Sequence, residues 1–439
     1  MAESEAEAAS RAIELCRALL SDLGDVAAER LARETWVAYE SLTGASLCAF
    51  FDFLAEGFSP ALALVLRRAD AYRQNPSSAT LSELQRAVEP PRQELFRRLN
   101  LAAGGTVSLI EMRRRVLCAL AEHPTWEGIA DDLAHLLRSW FNAGFLEFRR
   151  IDWTSPAAVL ENLIKYEAVH AIRDWRALRR RLQSDRRCFG FFHPSLPDEP
   201  LVFTELALTD GLSARVQPLL DPDTPILDPQ TCNCAVFYSI SSCHEGLRGV
   251  SFGNALIRRV IDHLRSEFPR LKTLATLSPV PGFREWLVGV ARDGNRDVAD
   301  LIARLSDPRW VRNSPLSGEL GRALVPLCAS YLLGAKRGHQ PADPVARFHL
   351  RNGARLERLN WLGDTSEAGL DRSLGMTANY RYRLADIEQN HRSYVTEWKV
   401  MASLRVHRLS ESAARTLLEP GACSAGRGIS SSAVAHACP

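Results

Sequence analysis

A helical region followed by a mixed α/β region is the fold class this sequence predicts: an all-α part over residues 1–141 and a mixed α/β part over residues 142–422. Three observations carry that expectation. Through the first 141 residues apolar side chains recur at spacings of three and four, the period of an amphipathic helix. From Asn233 to Phe283 the pattern changes to strand, glycine-punctuated turn, helix and strand. A chain of 439 residues is also too long for one compact core, so two domains are expected.

In the first part the helical pattern covers Ala8 to Leu23, Val26 to Tyr39, Leu47 to Leu54, Pro60 to Tyr72, Leu81 to Leu99, Thr106 to Ala121 and Thr125 to Phe141. Pro76, Pro90-Pro91 and Gly104-Gly105 interrupt it. His123 and His135 are the only histidines there, and a lone histidine on a helical bundle is more often a surface or capping residue than a ligand. Packing and self-association are the expected work of this part.

Asn142-Ala-Gly144 suits a helix C-cap, and Phe145 to Phe148 reads as a strand. Ser155-Pro156 opens a helix that runs to about Tyr166. Arg173 to Leu182 continues as a basic helix. Its Arg176, Arg179, Arg180 and Arg181 either reach a phosphate or, more commonly for such runs, form a solvated face. Cys188 to His193 and Leu201 to Leu208 are strands around a proline-rich hairpin loop, and Asp221 to Gln230 is an irregular loop.

The central stretch follows. Ala235 to Ser241 is a β-forming apolar run of the kind that makes a buried strand. After Cys243-His244-Glu245-Gly246 and Leu247 come Arg248, Gly249, Val250, Ser251, Phe252, Gly253 and Asn254, where a helix begins with Leu256, Ile257, Val260, Ile261 and Leu264 on its apolar face. Glycines at a helix start let bare backbone approach a ligand, and the unpaired first-turn amides and helix dipole favour a phosphate there. The same glycines also serve turn geometry alone. Leu271 to Leu277 makes the next strand, ended by Ser278-Pro279. Pro281 to Val290 is a short helix, and 291–343 is mostly helical. Pro344 opens a helix closed by Asn352-Gly353, Arg355 to Leu362 is a strand, and Ala378 to Leu384 is a late strand carrying Tyr380 and Tyr382. Sheet packing accounts for Tyr382. From Cys423 the chain is small and polar with nothing to bury, as in a disordered tail over 423–439.

Arg248 to Asn254 resembles the pyrophosphate loop with which the GNAT acyltransferase superfamily holds coenzyme A, displaced by one position because Gly249 directly follows the arginine. Phe237 to Ser241, Gly246 to Val250, Leu277 to Phe283, Pro344 to Ala354 and Ala378 to Tyr382 together resemble one branch, the malonyl-CoA decarboxylases, block by block and in order. The resemblance covers about Trp140 to Tyr382. It implies a GNAT-like catalytic domain with a helical insertion near 291–343, and an all-helical N-terminal domain that helps form tetramers. It also implies conversion of malonyl-CoA to acetyl-CoA and carbon dioxide with no cofactor beyond the substrate's own coenzyme A. Acyltransferases end the corresponding helix with a tyrosine as general acid; here Ala346 to Gly353 puts His349 in that slot. An imidazole can deliver a proton near neutral pH. Ser278 and His349 are therefore the expected catalytic pair, with Arg248 to Asn254 on coenzyme A and Tyr380 as a further candidate. The competing readings are a strand cap for Ser278 and a helix cap for His349.

Composition narrows the alternatives. A net charge of +2 gives no reason to expect nucleic acid or an anionic membrane as a partner. No uninterrupted apolar run reaches the roughly 18 residues of a membrane span. The acidic start, Met1 to Glu7, resembles neither a secretory signal nor a transit peptide, so a cytoplasmic protein is expected. Cys232-Asn-Cys234 with Cys243-His244 can be drawn as a zinc site, but its spacing is unlike structural sites; strand-end thiols, and no metal, are expected. Ser278 does not sit in a Gly-x-Ser-x-Gly elbow, which removes the α/β-hydrolase reading. Two other readings stay open: an acyl-CoA-dependent acyltransferase, and a non-catalytic acyl-CoA-binding scaffold.

Overall fold

The computed structural model describes residues 2–417 apart from 22–23, 143, 251 and 307. The expected tail from Cys423, Ser251 and the side chain of Asn254 lie outside the described residues. The N-terminal region forms α1 (Ala2–Leu19), α2 (Asp25–Glu40), α3 (Gly44–Gly57), α4 (Leu62–Gln74), α5 (Ser78–Val88), α6 (Pro91–Leu99), α7 (Gly105–Ala119) and α8 (Glu127–Trp140). The helix expected from Leu81 to Leu99 is two helices. Pro90 and Pro91 cannot extend α5 but suit the first turn of α6. Gly44–Gln74 contains a stretch of mean hydropathy 1.6, apolar enough for a membrane span. It breaks at Phe58–Ala61 into helices of 14 and 13 residues, roughly 20 Å each and short of a ~30 Å hydrocarbon core.

The second region runs β1 (Glu147–Ile151), α9 (Ala157–Tyr166), α10 (Trp175–Arg181), β2 (Arg186–Phe192), β3 (Val202–Thr209), α11 (Gln217–Leu220), β4 (Cys234–Ser242), α12 (Gly253–Glu267), β5 (Thr273–Thr276) and β6 (Ser278–Pro279). It continues with α13 (Phe283–Arg292), α14 (Arg296–Leu305), α15 (Ser314–Gly334), the hairpin β7 (Lys336–Arg337) and β8 (Gln340–Pro341), α16 (Pro344–Arg351) and β9 (Arg355–Asn360). The last elements are α17 (Glu367–Ser373), β10 (Thr377–Tyr382), α18 (Leu384–Glu397) and α19 (Leu404–Leu417). The basic helix is shorter than its arginine pattern. Arg180 and Arg181 are buried, ion-paired to Asp185 and Glu205, and only Arg176 and Arg179 face solvent. A solvated face does not describe α10: half of its arginines hold the sheet.

Eight strands form one mixed sheet, in which β1, β2, β3, β4 and β5 follow one another and β10 joins β5, β6 and β9. Every pairing is antiparallel except β4 with β5. That parallel pair is brief, Cys234–Phe237 against Thr273–Thr276. A bulge explains why it stops: the register of β3 on β4 slips between Glu205 and Leu206, leaving Tyr238 as an extra residue in β4. A bulge bends its strand and ends pairing. Beyond it β4 stays paired with β3 as far as Ser242, and the Ser239 and Ser241 hydroxyls donate to the buried Glu167 carboxylate. The apolar core is continuous between the helical region and the sheet, with Phe141 of the first region against Phe252 of the second.

Candidate active site

Where the parallel pair ends, Leu277 donates its amide to the Phe237 carbonyl (2.8 Å), and Ser278 pairs with Ala378 of β10. Ser278 thus heads a second short strand rather than capping the first. Alternation along a strand puts Thr276 and Ser278 on one face, and Ala378, Tyr380 and Tyr382 of β10 on one face. The helix α16 lies across them. Asp343 caps its N-terminus by accepting from the Ala346 amide (2.8 Å), Pro344 occupies its first turn, and Ala346, His349 and Leu350 form its buried stripe. Asn352 and Gly353 close it, Gly353 at φ +80°. Those two residues do the capping, so the His349 side chain is free to point inward.

The result is a directed chain of hydrogen bonds. Ser278 Oγ donates to Thr276 Oγ1 (2.9 Å), which also accepts from the Tyr380 amide (3.2 Å). Ser278 Oγ lies 3.0 Å from His349 Nε2, and His349 Nδ1 lies 2.9 Å from the Tyr382 hydroxyl. With the serine proton directed to Thr276, the network is satisfied by an imidazole that carries its N–H on Nε2 and accepts from Tyr382 at Nδ1. The Tyr380 ring stacks on the imidazole, centroids 4.7 Å apart, while its own hydroxyl is buried without a hydrogen-bond partner. Tyr382, read from the sequence as sheet packing, bonds the histidine, and Tyr380, the further candidate, lays its ring on it. Period-two alternation was the available signal, since it places 380 and 382 together, but not which hydroxyl reaches the ring.

Burial also acts on the charge of the imidazole. With His349 only 3% exposed, desolvation pushes its pKa down to about 3, which favours the neutral ring. Tyr382 is pushed far up by the same cause and stays protonated. Asp343 at the head of α16 rises to about 6 through burial, opposed by the amides it accepts from.

The expected coenzyme A loop divides. Arg248 is exposed, and Gly249 adopts φ +84° with open space where a side chain would stand, the left-handed turn for which glycine suits. Val250 and Phe252 are buried and anchor the loop. Gly253 is not bare for a ligand's sake. A Cβ there would stand 2.5 Å from the Phe348 ring on α16, so the glycine serves close packing next to His349. The zinc alternative is not assembled: Cys243 packs with Cys188 and Phe203, and Cys232 Sγ donates to the Asp228 carbonyl. Among the described residues no three His, Cys, Asp or Glu side chains are placed to hold a metal ion. A surface groove lined by Trp175, Arg176, Arg179 and Asp223 contains neither Ser278 nor His349.

The family model of the malonyl-CoA decarboxylase C-terminal domain matches residues 144–419, and that of its N-terminal domain matches 58–141. The chain belongs to the malonyl-CoA decarboxylase family. Malonyl-CoA decarboxylase from Rhodopseudomonas palustris is 45% identical with a TM-score of 0.87, over 91% of this chain and 99% of that one. The mitochondrial enzyme of Mus musculus is 36% identical over 352 residues, 74% of this chain and 72% of its own length. That of Anser anser anser is 35% identical over 375 residues, 78% and 74% respectively. Ser278, His349 and Tyr382 fall within the malonyl-CoA decarboxylase C-terminal match, and α7 and α8 of the helical region within the N-terminal one.

Proposed function

We propose that this protein decarboxylates malonyl-CoA to acetyl-CoA and carbon dioxide, with Ser278 and His349 at the reacting end and Arg248 with its loop at the coenzyme A end. Family membership carries the reaction. The single structural observation that supports the site is the buried Thr276–Ser278–His349–Tyr382 chain at the break in the sheet.

The carbon–carbon bond to the carboxylate breaks, its electron pair moves into the thioester as an enolate, and carbon dioxide leaves. One proton must then reach the new carbanion. Burial keeps His349 neutral, but a substrate carboxylate beside the ring favours its protonated form. The proton that the reaction consumes thus enters with the substrate, and His349 can hand it to the enolate carbon as a general acid. Tyr382 fixes which nitrogen faces the reacting atoms, and Ser278 holds the departing carboxylate or relays the proton. No cofactor beyond the substrate's coenzyme A is needed in this scheme.

The test is to incubate the pure protein with malonyl-CoA, with and without an amine acceptor. Acetyl-CoA formed without acceptor supports the decarboxylase; acceptor-dependent acylation would mean a transferase, and binding without turnover a scaffold. Self-association, as a tetramer in the resemblance, is proposed for the helical region, whose α4 has no buried residue and exposes Leu62 and Leu66. The buried Cys16, Cys188, Cys232, Cys234, Cys243 and Cys328 are free thiols, which suits the reducing cytoplasm proposed as its location.

A further inference from the structure

Arg113 lies on α7, in the helical region, yet its side chain ends at the coenzyme A loop. It is 5% exposed and all its acceptors are carbonyls: Ala130 (2.9 Å), Gly246 (2.6 Å) and Arg248 (2.8 Å). The contact is close enough that a Cβ on Gly246 would stand 1.9 Å from the Ile110 carbonyl oxygen of α7. A trans peptide directs its C=O and N–H to opposite sides. With the Arg248 carbonyl held by Arg113, the amide of Gly249 in the same peptide faces away from α7, and φ +84° at Gly249 turns the chain there.

Charge points the same way. Among the described residues Arg113 makes no ion pair with a carboxylate. Burial first, then the positive charges of Arg138 and Arg248, push its pKa down, with Asp131 opposing. Arg138 and Arg248 thus add positive charge around the buried Arg113, a field that an incoming pyrophosphate would neutralise.

We propose that Arg113 is a positioning residue for coenzyme A: from the helical region it fixes the Gly246 and Arg248 carbonyls so that the loop presents amide and charge to the pyrophosphate. This rests on the reading of Arg248 to Asn254 as the pyrophosphate loop. The helical region then has a part in substrate binding besides packing.

The experiment compares kcat/KM for malonyl-CoA and for malonyl-pantetheine, which has the reacting end but no pyrophosphate. Arg113→Met should lower the value for malonyl-CoA about ten- to a hundredfold more than that for malonyl-pantetheine, chiefly through KM, as loss of hydrogen bonds from a charged group predicts. Arg113→Lys, which keeps the charge and one donor head, should recover part of that discrimination. Equal losses with both substrates overturn the proposal, since a merely structural arginine would not distinguish them. If Arg113→Met does not fold, Arg113→Lys carries the same comparison. Arg248→Gln separates the two readings: if it discriminates and the Arg113 variants do not, only the positioning role falls. If neither discriminates, the loop assignment itself falls.

Discussion

Acid should act on this protein partly through one histidine. An unfolded histidine has a pKa near 6.5, whereas folding lowers that of His349 to about 3. Its folded pKa being depressed, the stability tied to its neutral form is complete above about pH 6.5 and is lost as pH falls toward 3, because the unfolded chain takes up a proton that the folded one refuses. At pH 4.5 the two units below 6.5 amount to roughly 3 kcal/mol, a large share of the roughly 5–15 kcal/mol by which domains are stable. Urea unfolding at pH 7.5 and 4.5, on wild type and on His349→Asn, isolates that share, since other titrating groups cancel in the difference of differences. The wild type should lose roughly 3 kcal/mol more than the variant. If both lose the same amount, the imidazole is not held neutral, and the direction of the hydrogen-bond chain from Tyr382 to Thr276 has to be redrawn.

The remaining expectations concern turnover. His349→Asn should cut kcat by about 10²–10⁴-fold with its thermal midpoint intact, the range of a single general acid; near wild-type turnover would leave the histidine a packing residue. Ser278→Ala should lower kcat strongly while KM moves only a few-fold, as fits a group acting on the reacting carboxylate; an unchanged kcat would make it only a structural partner of Thr276. Tyr382→Phe strands a buried ring nitrogen and should cost about ten- to a hundredfold in kcat, whereas Tyr380→Phe removes a hydroxyl with no partner and should stay within a few-fold. The opposite ranking of the two tyrosines would reverse their assigned roles.

Much of the scaffold was legible because it rests on local periodicity. Leu256, Ile257, Val260, Ile261 and Leu264 announce α12, and Ala346 and Leu350 announce the buried face of α16 that carries His349. Helical pattern on both sides of Pro90-Pro91, with the break at the prolines, anticipates α5 and α6. The pairing of Ser278 with His349 was inferred from resemblance; nothing in the 71-residue separation says that they touch. What stayed hidden depends on long-range contact. Arg180 and Arg181 look solvated until Asp185 and Glu205 are folded against them. Arg113 is one arginine among many on a helix until the loop from residue 246 lies beneath it. Tyr380 and Tyr382 are equivalent in pattern and unlike in role. The neutral state of His349 is a property of its burial, which no residue spacing encodes.

The contact between Gly253 and Phe348 has an evolutionary consequence. Phe348 precedes His349 on α16, and its ring occupies the space that any larger residue at 253 would need. Neither position is free to drift alone. A gain of one methyl at 253 has to be matched by a slimmer side chain at 348, or else α16 is displaced and the imbalance passes to the neighbouring imidazole. Across relatives the two positions should therefore covary, glycine accompanying an aromatic and alanine a smaller apolar residue. Installing Gly253→Ala together with Phe348→Leu should restore activity that Gly253→Ala alone loses.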